Sequence, residues 1–320
     1  MEKVVILINA ISVAAAEDEL DVLDQACVVE KALEDLGYET VRLFTGINLA
    51  ETSEKLLKIK PLFVFNLVES LDGDGKLIHL APALLEHLKI PYAGCPAESI
   101  YVTGNKTLSK RIMIAEGLPA PELWDFSKKQ SSDPSALYIA KPVMEDASVG
   151  IEDENILPAD QEKIREFQKA HPEISYFFER YIPGREFNIS VLGGDKGPEV
   201  LPIPEIIFEE YPYDKPRIIG YQAKWDEDSF EYKHTNRVFG LETKEPQLAE
   251  KLRKICVDCW NLFGLKGFAR VDLRVDESGN PWILEVNANP CLSEDAGFYA
   301  ATSEAGYSFT EVMKRIIEDV

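Results

Sequence analysis

The sequence predicts an α/β N-terminal domain with a doubly wound, mostly parallel sheet, followed by an α+β fold in two subdomains. Two observations support this prediction. Up to Gly94, buried-strand patterns alternate with helical patterns, which favours crossover connections and a parallel sheet. After Gly94, strand patterns follow one another with fewer intervening helices and include one clear hairpin. We therefore predict three units, residues 1–95, 96–180 and 181–320.

The N-terminal region begins with a strand. Val4–Ile8 is a run of β-branched residues and leucine, which is typical of a strand buried on both faces. Apolar residues then recur at helical spacing from Val22 to Leu36, and Gly37 ends that helix. The elements that follow are predicted as a strand at Val41–Leu43, a helix through Leu56, a strand at Leu62–Leu67 and a helix at Leu77–Leu88.

The rest of the chain is predicted to mix helices with antiparallel strands. The segment Leu201–Phe239 is rich in proline, aromatic and charged residues, and its weak periodicity predicts a long functional loop with short strands. Two short helices are predicted at the end of the chain. The other predicted elements are helices at Glu98–Thr103, Lys106–Glu116, Asp160–Ala170 and Pro246–Phe263, strands at Leu137–Pro142, Tyr176–Tyr181 and Arg185–Leu192, and a hairpin with arms Gly267–Val275 and Trp282–Asn287.

Composition excludes several classes of protein. The 320 residues carry 34 Lys and Arg against 56 Asp and Glu, a formal net charge of −22 that disfavours nucleic acid and anionic membranes. The longest weakly polar stretch, Val4–Ala16, is too short to span a bilayer. Five scattered cysteines fit a reducing compartment, so we expect a cytoplasmic protein. Cys256 and Cys259 could form a redox or metal pair, but their helical spacing with Leu252 and Phe263 favours buried core thiols.

The predicted hairpin carries the strongest chemical signal. Arg270 and Asp272 are two residues apart on one arm, and Glu285 and Asn287 are two apart on the other, so each pair shares a face of its strand. One interpretation is a solvated polar face with a surface salt bridge. The other is a magnesium site, because Mg²⁺ takes one or two carboxylates and completes its shell with phosphate and water. An adjacent arginine suits developing phosphoryl charge.

A series of short sequence blocks resembles the ATP-grasp superfamily, and within it the D-alanine–D-alanine ligases. Each block is short, but their order and spacing from Asn66 to the C-terminus make the resemblance specific. They are Phe65-Asn66, Ile90–Gly94, Asn105-Lys106, Ala115–Pro119, Ala140-Lys141-Pro142, Ser148-Val149-Gly150, Phe178–Tyr181, Gly184–Phe187, Gln222-Ala223-Lys224, Lys266–Asp272 and Leu284–Asn287, with a weaker match at Ala16–Asp21.

The resemblance implies a nucleotide site for ATP. Lys106 and Lys141 match the lysines that contact phosphates, although a surface lysine is the ordinary alternative. Ser148 and Val149 match a flap over the terminal phosphates, where a plain turn is the alternative. Glu186 matches the acid that bonds the ribose hydroxyls, against an exposed loop glutamate. The segment that would hold the adenine edge, mainly through backbone groups, comprises Glu179, Arg180, Tyr181 and Ile182.

The resemblance also implies roles in catalysis and metal binding. Arg270 matches the arginine beside the transferred phosphoryl group, and Lys224 matches a lysine on a mobile loop. Glu19 matches the acid that anchors the amino group of the first substrate, with an acidic helix N-terminus as the alternative. The flap serine, Ser148, belongs to the catalytic set as well. The ligands for Mg²⁺ (or Mn²⁺) would be Asp272, Glu285 and Asn287.

The sequence departs from the family pattern mainly where substrates bind. Glu69 stands in place of a histidine, and Ala147 replaces the first flap serine. Trp225 replaces a tyrosine after the loop lysine, and Cys291 interrupts the terminal motif. Ala296 occupies the position of the serine that would bind the acceptor carboxylate. We therefore expect retained ATP chemistry with a different carboxylate or amine.

These observations lead to three hypotheses. The first is an ATP-dependent ligase that joins amino acids or small peptides through an acyl phosphate, with lids at Met144–Gly150 and Leu201–Phe239. The second is an actual D-alanine–D-alanine ligase of cell-wall synthesis. The third is a nucleotide-binding regulatory protein without turnover. The expected partners are small molecules rather than nucleic acid or membrane, and the family analogy adds a homodimer.

Overall fold

The computed structural model describes residues 2–11, 17–127, 133, 135–144 and 150–320, with only the backbone for residues 17–19. Ser148, Val149 and the side chain of Glu19 lie outside the described part of the chain. Within those ranges, no helix combines the length and apolar character needed to cross a membrane.

The N-terminal region is a parallel four-stranded sheet, as predicted. Its strands run in the order β2-β1-β3-β4, and every neighbouring pair is parallel. Helix α1 packs on one face, and α2 and α3 pack on the other, which is the doubly wound arrangement. The elements are β1 (Lys3–Asn9), α1 (Glu17–Asp35), β2 (Glu39–Thr45), α2 (Leu49–Ile59), β3 (Phe63–Asn66), α3 (Leu80–Leu88) and β4 (Tyr92–Ala93).

The middle of the chain forms two helices and a small antiparallel sheet. The strands run in the order β6-β5-β7, and Phe178 on β7 packs against α6 through Phe167. Strand β6 is not among the predicted elements, because three residues ending in proline are too few to show alternation. The elements are α4 (Ala97–Gly104), α5 (Lys106–Ala115), β5 (Leu137–Pro142), β6 (Ile156–Pro158), α6 (Gln161–Ala170) and β7 (Tyr176–Arg180).

A larger antiparallel sheet contains the predicted hairpin. Its order is β11-β10-β8-β12-β13, and β9 pairs with β8. Helix α10 buries Leu252, Cys256 and Cys259 against this sheet, so the prediction of core thiols is confirmed. The strands are β8 (Arg185–Leu192), β9 (Glu199–Val200), β10 (Glu205–Phe208), β11 (Thr235–Val238), β12 (Phe268–Val275) and β13 (Pro281–Asn287), and the helices are α7 (Gln222–Trp225), α8 (Phe230–His234), α9 (Leu241–Lys244), α10 (Pro246–Phe263), α11 (Gly297–Glu304) and α12 (Phe309–Ile317).

The core of the N-terminal region continues into the C-terminal region. The rings of Phe65 on β3 and Phe268 on β12 stack at 6.1 Å, and Phe298 of α11 packs edge-on against Phe268. Helix α12 returns to pack beside α1. The proposed boundaries at residues 95 and 180 fall between the three sheets, yet the last two helices complete the core of the first sheet.

The segment expected to be a long loop contains β10 and β11 together with two short helices, α7 and α8. Ser229 caps α8 by accepting a hydrogen bond from the Tyr232 N–H at 3.0 Å. Lys215 bridges Asp153 and Glu231 with ion pairs of 2.7 Å each, so this segment is tied to the chain just after residue 150. Because capping and ion pairs involve polar side chains, a segment held in this way shows little hydrophobic periodicity in its sequence.

Candidate functional site

A cleft of about 740 Å³ opens between the small and the large antiparallel sheets. Five cationic side chains and four carboxylates line it, so its wall carries a positive excess although the whole chain is strongly acidic. Apolar residues from both sheets and from the 201–239 segment complete the wall. The lining residues are Lys106, Ile139, Lys141, Ile151, Glu179, Arg180, Tyr181, Ile182, Glu186, Asn188, Ile218, Ile219, Lys224, Asp272, Arg274, Leu284 and Glu285.

The hairpin presents its four polar residues as the alternation predicts. Asp272 is the cross-strand partner of Glu285, and Arg270 is the partner of Asn287. Cross-strand partners place their Cβ atoms about 4.5–5.5 Å apart, so the two carboxylates share one face of the sheet. The register shifts directly after Asp272: Asp272 pairs with Glu285, whereas Leu273 pairs with Ile283.

Cations surround this carboxylate pair. Arg270 donates to both oxygens of Asp272, from Nε at 2.7 Å and from Nη2 at 2.9 Å. Lys106 Nζ lies 3.5 Å from Glu285 Oε2. Burial by itself would raise the pKa of Glu285, but Lys106, Lys224 and Arg270 hold it well below its usual range. Burial raises the pKa of Asp272 against the opposing charge of Arg270, and the nearby Glu285 carboxylate adds to that rise.

The 201–239 segment brings Lys224 to the same place. Lys224 lines the cleft from α7, near the hairpin groups. Burial and the charge of Arg270 lower the pKa of Lys224, whereas Glu285 and Asp272 oppose that shift. The loop lysine and the hairpin therefore act on one another electrostatically.

A buried charge cluster connects the cleft to the interior. Glu179 is fully buried, and its two carboxylate oxygens pair with Lys110 Nζ at 2.7 Å and with Lys141 Nζ at 2.9 Å. Lys110 also donates to the Ile283 carbonyl at 2.7 Å, which ties α5 to the large sheet. Burial alone would raise the pKa of Glu179, but the two lysines outweigh it and lower the pKa.

Lys110 is not among the site residues predicted from the sequence. It follows Lys106 by four residues on α5, which places both on one helix face, and that spacing was the available signal. The resemblance implies that Glu179 acts mainly through backbone groups in the adenine segment. In the structure its side chain joins two lysines inside the cleft wall, because a buried carboxylate needs paired cations.

The far end of the cleft is formed by Arg180, Tyr181, Ile182 and Glu186. Gly184, between them, has φ +139°, and a Cβ there would stand 2.1 Å from the Val275 carbonyl oxygen. Only glycine allows the chain to pass so close to the end of β12. This turn positions Glu186 opposite Arg274 on the neighbouring strand.

The donor set on the hairpin suits a small hard cation. Two carboxylates and the Asn287 amide project from adjacent strands, and Mg²⁺ needs one or two such carboxylates beside phosphate and water. Among the described residues, no group of three or more His, Cys, Asp and Glu side chains forms a metal cage. The chemistry of this set therefore fits a cation that shares its shell with a phosphate ligand rather than a site closed by protein alone.

A second polar cluster lies where the N-terminal sheet meets the end of β13. Asp21 accepts from Ser293 Oγ at 2.6 Å, from Cys291 Sγ at 2.9 Å and from Gln25 Nε2 at 3.0 Å. Gln25 Nε2 also donates to Glu69 Oε1 at 2.8 Å. Burial and the charge of Asp21 raise the pKa of the Cys291 thiol well above its usual value. The departures noted at Glu69 and Cys291 are thus in one network, which we name the junction cluster.

Arg237 on β11 lies close to the start of α11. Its Nη2 would stand 3.5 Å from a Cβ on Gly297, the residue after Ala296. Burial lowers the pKa of Arg237, and the charge of Arg270 lowers it further. The charge of the Asp295 carboxylate opposes this lowering, although no described carboxylate forms an ion pair with the Arg237 guanidinium.

The described residues bring together most of the predicted site. Lys106, Lys141, Glu179, Lys224 and Glu285 line the cleft with the other predicted residues that lie there, Arg180, Tyr181, Ile182, Glu186 and Asp272. Arg270 and Asn287 belong to the same hairpin face. Ser148 and Val149, as well as the Glu19 side chain, are outside the described residues.

Two antiparallel sheets that enclose such a cleft, beside a parallel N-terminal sheet, define an ATP-grasp fold. The same fold occurs in the D-alanine–D-alanine ligase from Bacillus anthracis complexed with ATP, with a TM-score of 0.73, 21% identity and coverage of 99% of this chain and 96% of that one. The fold class predicted from the sequence is therefore confirmed.

Residues 124–318 match the family described as D-ala D-ala ligase C-terminus, and the chain belongs to this family. It is 30% identical over 297 residues to the uncharacterized protein y4sG of Sinorhizobium fredii, covering 91% of this chain and 85% of that protein. It is also 30% identical over 294 residues to the D-alanine–D-alanine ligase of Aquifex aeolicus, covering 90% of this chain and 92% of that enzyme. The resemblance drawn from the sequence blocks is confirmed.

Proposed function

We propose that this protein is an ATP-dependent ligase of the D-alanine–D-alanine ligase type that joins the carboxylate of one amino acid or small peptide to the amine of another. Family membership supports the ligase class. The observation that carries the proposal is the cleft, in which a positive wall and a paired carboxylate face occur together in a protein of net charge −22. A triphosphate with a divalent cation is the ligand that such a wall complements.

The reaction needs ATP because a carboxylate is a poor electrophile in water. A substrate carboxylate oxygen attacks the γ-phosphorus of ATP, and ADP leaves. The amine of the second substrate then attacks the acyl carbon of the acyl phosphate, inorganic phosphate leaves, and the amine loses a proton. Each step develops negative charge on phosphoryl or acyl oxygens, so preorganised cations lower its barrier.

The cations of this chain are arranged for that task. In this proposal, the phosphates are contacted by Lys106, Lys141 and Lys224, which come from three separate elements, α5, β5 and α7. Arg270 is held rigidly by two hydrogen bonds to Asp272, so its guanidinium is oriented before substrate binds. Asp272, Glu285 and Asn287 would hold Mg²⁺, which when bound neutralises charge on the transferred phosphoryl group.

Two features outside the cleft support a proposal of substrates that differ from those of the family pattern. The junction cluster places Asp21 and Glu69 beside the terminal motif, and two carboxylates there favour a substrate with an ammonium group in addition to the reacting centre. Arg237 supplies a cation next to Ala296, where the family's serine is missing. We propose that Arg237 holds the acceptor's carboxylate.

The proposal is tested by ADP release. Purified protein with Mg-ATP and pools of amino acids and dipeptides should release ADP and phosphate in equal amounts, and mass spectrometry should detect a product lighter by one water than its two substrates combined. The matched inactive control is Glu285→Gln. ATP binding without ADP release from any pool would favour the regulatory hypothesis instead.

The second candidate is an actual D-alanine–D-alanine ligase, which the named relatives favour. The two candidates separate when D-alanine is the sole substrate. Formation of D-alanyl-D-alanine at a rate equal to that with the best amino-acid pool would support the second candidate, whereas the junction cluster predicts a much slower reaction.

A further inference from the structure

One buried cation in the cleft has no role in the chemistry described above. Arg274 is 3% exposed and lines the cleft beside the predicted ribose acid, Glu186. On β12 it follows Arg270 and Asp272 at intervals of two residues, so all three point to the same face of the sheet. On β8 its direct cross-strand partner is Glu186.

Arg274 engages Glu186 in a specific way. Both Nε, at 3.0 Å, and Nη2, at 2.7 Å, donate to the same carboxylate oxygen, Oε2. Within the described residues, no side chain or backbone donor bonds the other oxygen, Oε1. The arginine therefore anchors Oε2 and leaves Oε1 as an acceptor for a ligand in the cleft.

The same guanidinium also fastens two further segments. Its Nη1 donates to the Ile182 carbonyl at 2.9 Å, in the connection between the two antiparallel sheets. Its Nη2 donates to the Arg217 carbonyl, in the segment that covers the cleft. The guanidinium carbon lies 5.2 Å from the centre of the Tyr181 ring, a cation–π distance.

We propose that Arg274 is a positioning residue for the nucleotide: it orients Glu186 toward the ribose hydroxyls and couples that orientation to docking of the covering segment through Arg217. This inference rests on the proposed function, because it assumes that a nucleotide occupies the cleft. Burial of an unpaired arginine costs folding free energy. The four hydrogen bonds that Arg274 donates and its one ring contact offset that cost and indicate a structural task at this end of the cleft.

The test is equilibrium binding of ADP and 2′-deoxy-ADP with Mg²⁺, measured by calorimetry on the full chain. Wild-type protein should bind ADP roughly 10-fold or more tightly than 2′-deoxy-ADP, since a hydrogen bond to a charged acceptor is lost. In Arg274→Met, ADP binding should weaken and the preference for ADP should fall to about twofold or less. Limited proteolysis should also cut the 201–239 segment faster in this variant.

Two further variants keep the test decisive. Arg253→Met is the matched control, because Arg253 also forms an ion pair, with Glu242 at 2.8 Å, but does not line the cleft. Its ADP preference should equal that of wild type. If Arg274→Met does not fold, Arg274→Lys replaces it, since lysine keeps the charge but lacks the planar fork, and the preference should fall at least threefold.

The outcomes distinguish the inference from the proposed function. Absence of ADP binding to wild-type protein would contradict the proposed function itself. Tight, ribose-selective binding to wild type together with an unchanged preference in Arg274→Met or Arg274→Lys would overturn only the role of Arg274. Loss of affinity with the preference intact would reduce Arg274 to a packing residue and would equally overturn the proposal.

Discussion

The cleft and the junction cluster are built in different ways. In the cleft, most charged groups meet on regular elements, where strand register sets the carboxylates of Asp272 and Glu285 side by side and pairs Arg274 with Glu186. In the junction cluster, Asp21 is surrounded by neutral donors, two of which lie in the irregular chain after β13. Register tolerates little change, whereas loops accept substitutions at low cost. Under the proposed function, this difference lets the ATP chemistry be kept while the substrates change.

The strongest challenge to this comparison is removal of a hairpin carboxylate. Glu285→Gln should lower kcat roughly 10³-fold, because several kcal/mol of charge stabilisation depend on the cation site. It should also raise the Mg²⁺ concentration needed for half-maximal ADP release. Glu250→Gln on the exposed face of α10 is the control and should behave as wild type. Equal rates for the two variants would contradict the metal assignment.

The buried charge cluster should matter for folding more than the junction cluster does. Lys110→Met leaves Glu179 with Lys141 alone, and loss of one partner of a buried charge costs about 3 kcal/mol of unfolding free energy. Urea denaturation measures this change. The exposed Lys251→Met should shift stability by less than about 0.5 kcal/mol. A similar small shift for Lys110→Met would mean that Glu179 is adequately paired by Lys141.

The junction cluster should control substrate choice without affecting ATP. Glu69→Gln should lower kcat/KM for the best amine or amino-acid substrate roughly 10-fold, through loss of one charged hydrogen bond. Steady-state kinetics should find the KM for ATP within about twofold of wild type, since Glu69 does not line the cleft. Parallel changes in both parameters would show that the two regions are not separable.

Thiol reactivity is the smallest of the expected effects, and it compares the buried thiols and Cys291 of the junction cluster with an exposed thiol. Burial raises the pKa of Cys95 and of Cys259 to about 12, and that of Cys256 well above its usual value, so these thiols stay neutral at pH 8. Cys27 is exposed. Native protein should therefore show one fast thiol with a disulfide reagent, and denatured protein should show five. A fast reaction of Cys291 would indicate that the junction cluster is open to reagent.

The sequence was sufficient for the hairpin face and for the parallel sheet. Alternation at Arg270 and Asp272 fixes which side chains share a face, and continuous apolar strands predict a sheet covered on both sides. Extending the same alternation by two residues would have found Arg274. It was overlooked because an arginine in a strand normally faces solvent, and its burial depends on Glu186, which lies 88 residues away along the chain.

Lys110 and the short elements were missed for related physical reasons. A lysine can be buried only beside a carboxylate, and nothing local in α5 reveals that Glu179 from β7 reaches it. Helices α7 and α8 have four and five residues, which is too short for a hydrophobic period to appear. The junction cluster joins residues up to 272 positions apart, so it is a property of the tertiary structure.

The bridge from Lys215 to Asp153 and Glu231 bears on the pace of the catalytic cycle. These two contacts fasten the 201–239 segment, which lines the cleft, and under the proposed function this segment opens when nucleotide enters or leaves. The three side chains are partly exposed, so each contact is weak and is screened by salt. Higher ionic strength would then hasten the release of ADP. It would also shorten the time for which the activated acyl group is shielded from hydrolysis. The contacts of Lys215 would therefore set a balance between the rate of turnover and the yield of product.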